Sequence, residues 1–380
     1  MACGTRWTPR STASEMHAPG NDTVNTPPRI GRLACGPLNA ISDVRGVTVG
    51  HATRDEADVQ TGVTVVHPHG LDPFRHKVPA GAAVINGFGK SIGLVQLEEL
   101  GQLETPIALT NTFSVGAIGE AQIRQCIQRN PETGRALPTV NPLVLECNDG
   151  YLNDIQRMVL GAADYQAACA SADARFAQGA VGAGRGMSSF QLKGGVGTAS
   201  RLVQLRSGSS YTVGALVLAN YGVLPHLVWG GAHVGADLGA LLDDAARAQA
   251  GTPEKGSIIM LLATDAPLDS RQLKRLALRA AAGLARTGSV YGHGSGDIAL
   301  AFSTAYTLPA QADLPMPAVS MVHETLMDEL FLAAADAVEQ SIVHALWHAT
   351  EVRGRNGHHR PSIRQLLPRL PANVLSPSLP

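Results

Sequence analysis

With 380 residues, 44% of them hydrophobic, and a formal net charge of -1, the chain can bury a large core and carries no electrostatic bias toward nucleic acid or an anionic membrane surface. Glycine is abundant (41 residues) and aromatics are few (4%), which favours helices packed closely on sheets, an α/β body of enzyme-like build. The five cysteines, Cys3, Cys35, Cys126, Cys147 and Cys169, include no CxxC pair, so a disulfide framework and a zinc site are both disfavoured and the thiols are expected to be reduced and mostly buried.

Residues 1–29 are dominated by Thr, Pro, Ser and charge without a signal-type apolar run, and read as a disordered tail; a cytoplasmic address is the default expectation. No apolar stretch is long enough to span a membrane. Ile41, Val44, Val47 and Val49 surround Arg45-Gly46 and predict a hairpin there, and 61–68 predicts a further strand. His67 and His69 sit at its edge, but no third metal ligand lies at a helpful spacing. After a strand and glycine turn across 82–90, Ser91 is a candidate N-cap for a helix with Ile92, Val95 and Leu100 on one face and Gly101 at its end. The segment 107–129 predicts a strand, a polar loop with Asn111 and Thr112, and a helix carrying Ile118, Ile123 and Ile127.

The grammar repeats at 142–155, where a strand ends at Leu145 and a helical face begins with Leu152 and Ile155. Between them stand Glu146, Asn148, Asp149 and Tyr151, polar groups delivered to a sheet edge, where α/β enzymes tend to keep their chemistry. A plainer reading fits equally, with Asp149 capping the next helix and Glu146 solvated. The glycine-dense stretch 179–200 lacks the Gly-Lys-Ser/Thr order of a phosphate loop, and its glycines suit close strand approach or room for a substrate. An apolar strand then closes at Asn220, either a turn former or a donor to an oxyanion.

A helix from about 234 and a polar linker lead to Gly256, and the apolar run 258–263 predicts a buried core strand opened by Ser257. That serine is either an ordinary turn residue or a nucleophile that becomes a chain terminus when the Gly256-Ser257 bond is cut. Residues 270–287 predict one amphipathic helix, with Leu273, Leu276, Ala280 and Leu284 on its face, Asp269 or Ser270 as cap and Gly288 as stop. His293, Ser295 and Asp297 follow in a glycine loop before the strand 298–302. The last helix, 323–350, carries Phe331, Ala335, Val338, Ile342 and Leu346 on its core stripe; His344 and His348 fall roughly opposite and are expected at the surface. The Pro- and Arg-rich segment 353–380 reads as a loosely ordered extension, leaving 30–352 as a single domain.

Taken together, KGSIIMLLATDAPL, NGF at Asn86, ECNDGYLNDI, VGAGRGM, KGGVGTASR, the Asn220 strand, GHGSGDIALAFSTA and DELFLAAADAVEQSI are similar to the L-aminopeptidase / D-amidase / D-esterase family, which includes the β-peptidyl aminopeptidases. The resemblance covers residues 38–357. It implies a four-layer αββα sandwich like that of N-terminal-nucleophile hydrolases with different strand connectivity. It implies self-cleavage at Gly256-Ser257 into α and β chains that stay together, with αβ units assembling into a homo-oligomer. The substrate would be a small peptide, amino-acid amide or ester, D- and β-residues among the candidates, with no cofactor, metal, nucleic acid or membrane required.

The site residues follow from the same resemblance. Ser257 would be the N-terminal nucleophile, Ser295 and Asp297 would support it, Asn220 would donate to the oxyanion, Tyr151 would sit beside the reacting carbonyl, and Glu146 would hold the substrate ammonium. The chemistry is consistent: a free α-amine titrates at about 7.7–8.0, so near neutral pH it can take the proton of its own hydroxyl and no separate histidine is needed. His293, two residues from Ser295, offers a competing base, although neighbouring residues rarely point together. Two other functions stand beside the hydrolase: an acyltransferase like the ornithine acetyltransferases, which use threonine at the new terminus, and an uncleaved, inactive binding protein of the same fold.

Overall fold

The computed structural model describes residues 26–242 and 256–375. Cys3, most of the expected tail and the expected linker before Gly256 lie outside the described residues, as do residues 376–380. Two sheets face each other. The smaller is built from β1 (Thr48–Glu56), β2 (Val59–His67), β5 (Ile107–Asn111) and β6 (Val144–Cys147), in that order. The larger runs β15-β3-β14-β13-β10-β9, comprising β3 (His76–Gly87), β9 (Gly195–Gln204), β10 (Ser210–Asn220), β13 (Ser257–Thr264), β14 (Gly296–Ser303) and the two-residue β15 (Leu308–Pro309). The two-residue β4 (Gln102–Leu103) joins it on β3. β13 is central, antiparallel to β10 and parallel to β14.

The uninterrupted apolar run of β13 is explained by burial on both faces. Ile259, Leu261 and Ala263 point between the sheets, against Leu109, Leu145 and Cys147 of the small sheet and Leu218 and Leu300 of their own. Ile258, Met260 and Leu262 point the other way, into the layer formed with α5 (Ser270–Leu278), α6 (Ala280–Arg286) and α7 (Met327–His348). Helices α2 (Val115–Arg129) and α3 (Ala162–Ala170) cover the outer face of the small sheet, where Ile118 and Ala168 meet Val63, Val65 and Val144. The order is therefore helices, sheet, sheet, helices, the expected αββα sandwich. Each fully buried aliphatic side chain in these layers contributes roughly 1.5–3 kcal/mol relative to exposure.

Several local expectations are corrected. The first hairpin turns at Ala57-Asp58, between β1 and β2, while Arg45-Gly46 only feeds the chain into β1. Ser91 caps nothing: α1 (Leu94–Leu100) starts from Gly93, and its buried residue is Leu97, with Val95 and Leu100 exposed. The segment directly after Asp149 forms only the 3-10 turn Ile155–Arg157, and the next α-helix, α3, starts at Ala162. The amphipathic segment after Asp269 is two helices with a break at Arg279, though Asp269 caps the first as expected.

The largest corrections concern α7 and the chain after it. α7 is enclosed on nearly all sides, and His344 is buried, with Nδ1 on the Thr198 carbonyl at 2.7 Å and Nε2 on the Gln340 amide at 3.0 Å. Segments without periodicity close over its polar face: Gln340 donates to Pro28 O and accepts from Ile30 N. His348 is exposed, as expected. The Pro- and Arg-rich extension is packed rather than loose, because Ile363, Leu366, Leu367 and Leu370 enter the same core as α7. Of the described cysteines, Cys126 and Cys147 are buried, Cys169 is half-buried and Cys35 is exposed.

Candidate active site

The strand register assembles the site. Ser257 opens β13 and is paired with Asn220, the last residue of β10, on one side and with Gly296, the first of β14, on the other. Ser257 is buried, and its Oγ accepts the Gly296 N–H at 3.2 Å. Glycine is required at two positions around it. A Cβ on Gly296 would stand 2.9 Å from the Phe88 carbonyl oxygen and 3.1 Å from Ser257 Oγ, blocking that approach. A Cβ on Gly256 would fall 2.2 Å from the Asn220 carbonyl oxygen, so the residue before the serine has no room for a side chain.

Ser295 and Asp297 are both fully buried, and the serine hydroxyl donates to Asp297 Oδ1 at 2.5 Å. Between this pair stands Gly296, and it is the Gly296 backbone N–H that meets the Ser257 hydroxyl. Asn86 holds the turn in place, its Nδ2 donating to Ser295 O at 2.5 Å and Gly292 O at 2.8 Å. His293 is exposed and its ring lies beside Phe88, 6.3 Å between centroids, with no bond to Ser257.

The Asn220 amide faces two ways. Its Oδ1 accepts from Ser188 N at 2.8 Å and its Nδ2 donates to Asn148 O at 3.0 Å, leaving the second N–H of the amide group to act in the site. Ser188 opens a small hairpin in which Ser188–Ser189 pairs with Leu192–Lys193, and the fully buried Lys193 ammonium pins it by donating to the Gly184, Met187 and Gly194 carbonyls at 2.6–2.8 Å. Burial holds that ammonium well below its ordinary pKa. A cleft of about 670 Å³ opens beside these residues, lined by Asn148, Tyr151, Ser188, Asn220, Gly256 and Arg360 among others.

Tyr151 lines the cleft with its ring stacked on His358, 4.5 Å between centroids, and with the Arg360 guanidinium 3.6 Å from the ring centre. Asp149 is buried behind it, neither a helix cap nor solvated: Thr61 donates to Oδ2 at 2.5 Å and Asn153 to Oδ1 at 3.0 Å. Burial pushes its carboxyl up to about 7 in spite of those donors. Glu146 is also buried. It accepts Lys90 N at 2.9 Å on Oε1 and the Thr112 hydroxyl on Oε2. It does not line the cleft; its carboxylate and Gly296 both lie near Gly89, where a Cβ would be 3.4 Å from Ile298 Cδ1, 3.7 Å from Glu146 Oε1 and 4.0 Å from Gly296 Cα.

The match to peptidase family S58 extends over residues 39–360, from the first 3-10 turn to the arginine above Tyr151. The chain belongs to peptidase family S58. This S58 chain is 39% identical over 341 residues to the beta-peptidyl aminopeptidase BapA of Sphingosinicella microcystinivorans, with 85% of each covered. Among solved structures it is similar to a Burkholderia sp. beta-aminopeptidase, with TM-score 0.80 and 41% identity over 90% of this chain and 96% of that one. It is similar as well to the L-aminopeptidase D-Ala-esterase/amidase of Ochrobactrum anthropi, with TM-score 0.81 and 35% identity over 91% and 97%. That structure is described as a prototype for the serine aminopeptidases and a new variant among the Ntn hydrolase fold. The family resemblance, the fold class and the expectation of an aminopeptidase-type hydrolase all stand on these matches.

Sequence reasoning missed Asn86 as the clamp on the 292–295 turn, Lys193 as the anchor of the Ser188 hairpin, and the arginines after α7 as part of the cleft. Asn86 and the arginines act on partners distant in sequence, while Lys193 acts on backbone carbonyls of its own glycine-rich segment, which no side-chain pattern marks; NGF and KGGVG stood out only as motifs.

Proposed function

We propose that this enzyme is made active by cutting its own Gly256-Ser257 bond and then removes N-terminal residues from small peptides, amides or esters. The observation that carries the reading is the placement of Ser257 at the head of the central strand, against Asn220 and the Gly296 N–H and beside an open cleft. In the precursor, Ser257 Oγ attacks the Gly256 carbonyl carbon. The peptide C–N bond breaks, the Ser257 nitrogen takes up the proton that Oγ gives up, and water hydrolyses the resulting ester to leave a free α-amine. In turnover that amine accepts the hydroxyl proton as Oγ attacks the substrate carbonyl. The departing amine takes the proton, and water releases the acyl group from Oγ.

In this scheme the second Asn220 N–H stabilises the developing oxyanion, and Asp297, bonded to the Ser295 hydroxyl, holds the turn that presents Gly296 N–H to Ser257. Tyr151 borders the reacting carbonyl. Glu146, already oriented by Lys90 N–H and Thr112, takes the substrate's ammonium, the group that distinguishes an N-terminal residue from an internal one. The names of the relatives support β-residues among those removed. The α and β chains would remain together because β13, the first element of the β chain, is hydrogen-bonded on one side to β10 of the α chain. Isologous packing of αβ units into an oligomer belongs to the same proposal.

Intact-mass analysis with N-terminal sequencing tests it. Two fragments are expected, the smaller beginning Ser257-Ile258-Ile259, and Ser257→Ala is expected to abolish both processing and turnover while folding normally. Processing retained in that variant would sink the mechanism.

A further inference from the structure

The cleft beside Gly256 has a charge pattern that the hydrolytic chemistry does not use. Among the described residues its charged lining is Asp154 and two arginines, Arg355 and Arg360, both supplied by the seven residues that follow the β-strand Val352–Arg353. The turn that delivers them is tightly specified: Asn356 adopts φ 56 and Gly357 φ 74, with Gly357 N bonded to Gly354 O at 3.0 Å and His358 N to Arg355 O at 3.0 Å. It is tied to the catalytic side of the cleft at two points. Arg355 N donates to Leu152 O at 2.8 Å, and His358 Nδ1 meets Tyr151 O at 2.7 Å.

The two arginines differ in employment. Arg360 lies on the Tyr151 ring and its Nε reaches Ser188 Oγ at 3.3 Å. Arg355 makes no ion pair among the described residues, and its buried Nε has no hydrogen-bond partner. A guanidinium is always charged and presents paired N–H donors matched to a carboxylate. Placing one in a peptidase cleft with no ion-pair partner among the described residues favours a substrate that brings an anion to it. The natural anion of a short peptide is its own C-terminal carboxylate, which in a dipeptide or tripeptide lies within a few residues of the scissile bond.

We propose that this cleft is a subsite for the C-terminal carboxylate of short peptides, with Arg355 as the cationic partner and the Tyr151–Arg360 stack as its wall. The enzyme is thereby a hydrolase of free di- and tripeptides in preference to C-terminally blocked ones. This rests on the aminopeptidase reading above and narrows it.

The test is the ratio of kcat/KM for a free dipeptide to that for the same dipeptide with a C-terminal amide, using matched pairs that begin with L-alanine, D-alanine or β-alanine. For the wild-type enzyme the free acid is expected to win by roughly tenfold, the worth of one charge-assisted contact. Arg355→Gln is expected to bring the ratio to near one, through a higher KM for the acid. Arg355→Lys, which keeps the charge, retains part of the preference and covers the case in which the glutamine variant folds poorly. A wild-type ratio near one, or a ratio unchanged in Arg355→Gln, overturns the subsite while leaving the aminopeptidase intact. Failure of the processed enzyme to hydrolyse either member of any pair overturns the hydrolase reading, and the subsite with it.

Discussion

At the scale of single residues, Asn220 has the most to lose, because its amide is both a structural joint and the proposed oxyanion donor. Replacing it with alanine leaves Ser188 N–H and the Asn148 carbonyl without partners and removes the donor from the site. For Asn220→Ala we expect kcat to fall about 10²–10³-fold, the range for loss of one such donor, with a stability loss of about 1–3 kcal/mol from the stranded groups. Self-processing should slow as well, since the precursor passes through its own tetrahedral oxyanion. Steady-state kinetics and a time course of fragment appearance would read both. A kcat within threefold of wild type would remove Asn220 from the chemistry. Ser257 and Asn220 were visible in the sequence because each sits where an apolar run meets a polar group. Asn86 was not legible in the same way: its importance comes from the Ser295 and Gly292 carbonyls, which reach it only through the β3–β14 pairing.

At the scale of elements, β10, β13 and β14 of the large sheet were readable from composition alone, since burial on both faces turns them into near-continuous apolar runs, whereas β9 lay hidden in the glycine-dense stretch. The α7 face and the segment after it were not. The stripe of Phe331, Ala335, Val338, Ile342 and Leu346 marked only one face of the helix; the face with Gln340 and His344 is covered by irregular segments that show no period of their own. Residues 361–370 looked like a loose tail because proline and arginine dominate, yet four apolar side chains there complete the core around α7. Ile363→Ala separates the two descriptions. A loose tail would tolerate it, whereas a fully buried isoleucine should lose about 2–5 kcal/mol, measured as a lower denaturant midpoint with an unchanged slope. The same variant should weaken turnover only at temperatures where it begins to unfold, because Ile363 lies outside the cleft lining.

At the scale of the whole molecule, buried titratable groups set how stability varies with pH, and they pull in opposite directions. His51, His67 and His344 are held near 4 by burial, neutral in the folded protein. The unfolded chain takes up their protons first, so their contribution is present above about 6.5 and is lost as the pH falls toward 4. Asp149 behaves inversely. Its folded pKa, about 7, stands above the unfolded value of about 3.9, so the folded protein holds a proton that the unfolded chain has released. The stability it contributes is complete below about pH 4 and is lost as the pH rises through 7, by up to roughly 4 kcal/mol if the whole shift is expressed. Asp149→Asn isolates this limb. The amide is neutral at every pH, and the Thr61 hydroxyl, which now donates to Oδ2, can turn to accept from it. Denaturant midpoints measured at pH 4, 6 and 8 should show the variant gaining on the wild type at each step, by about 1.4 kcal/mol per pH unit at the steepest part. Parallel curves for the two proteins would mean that the carboxyl is already ionised in the fold and that the donors around it outweigh its burial.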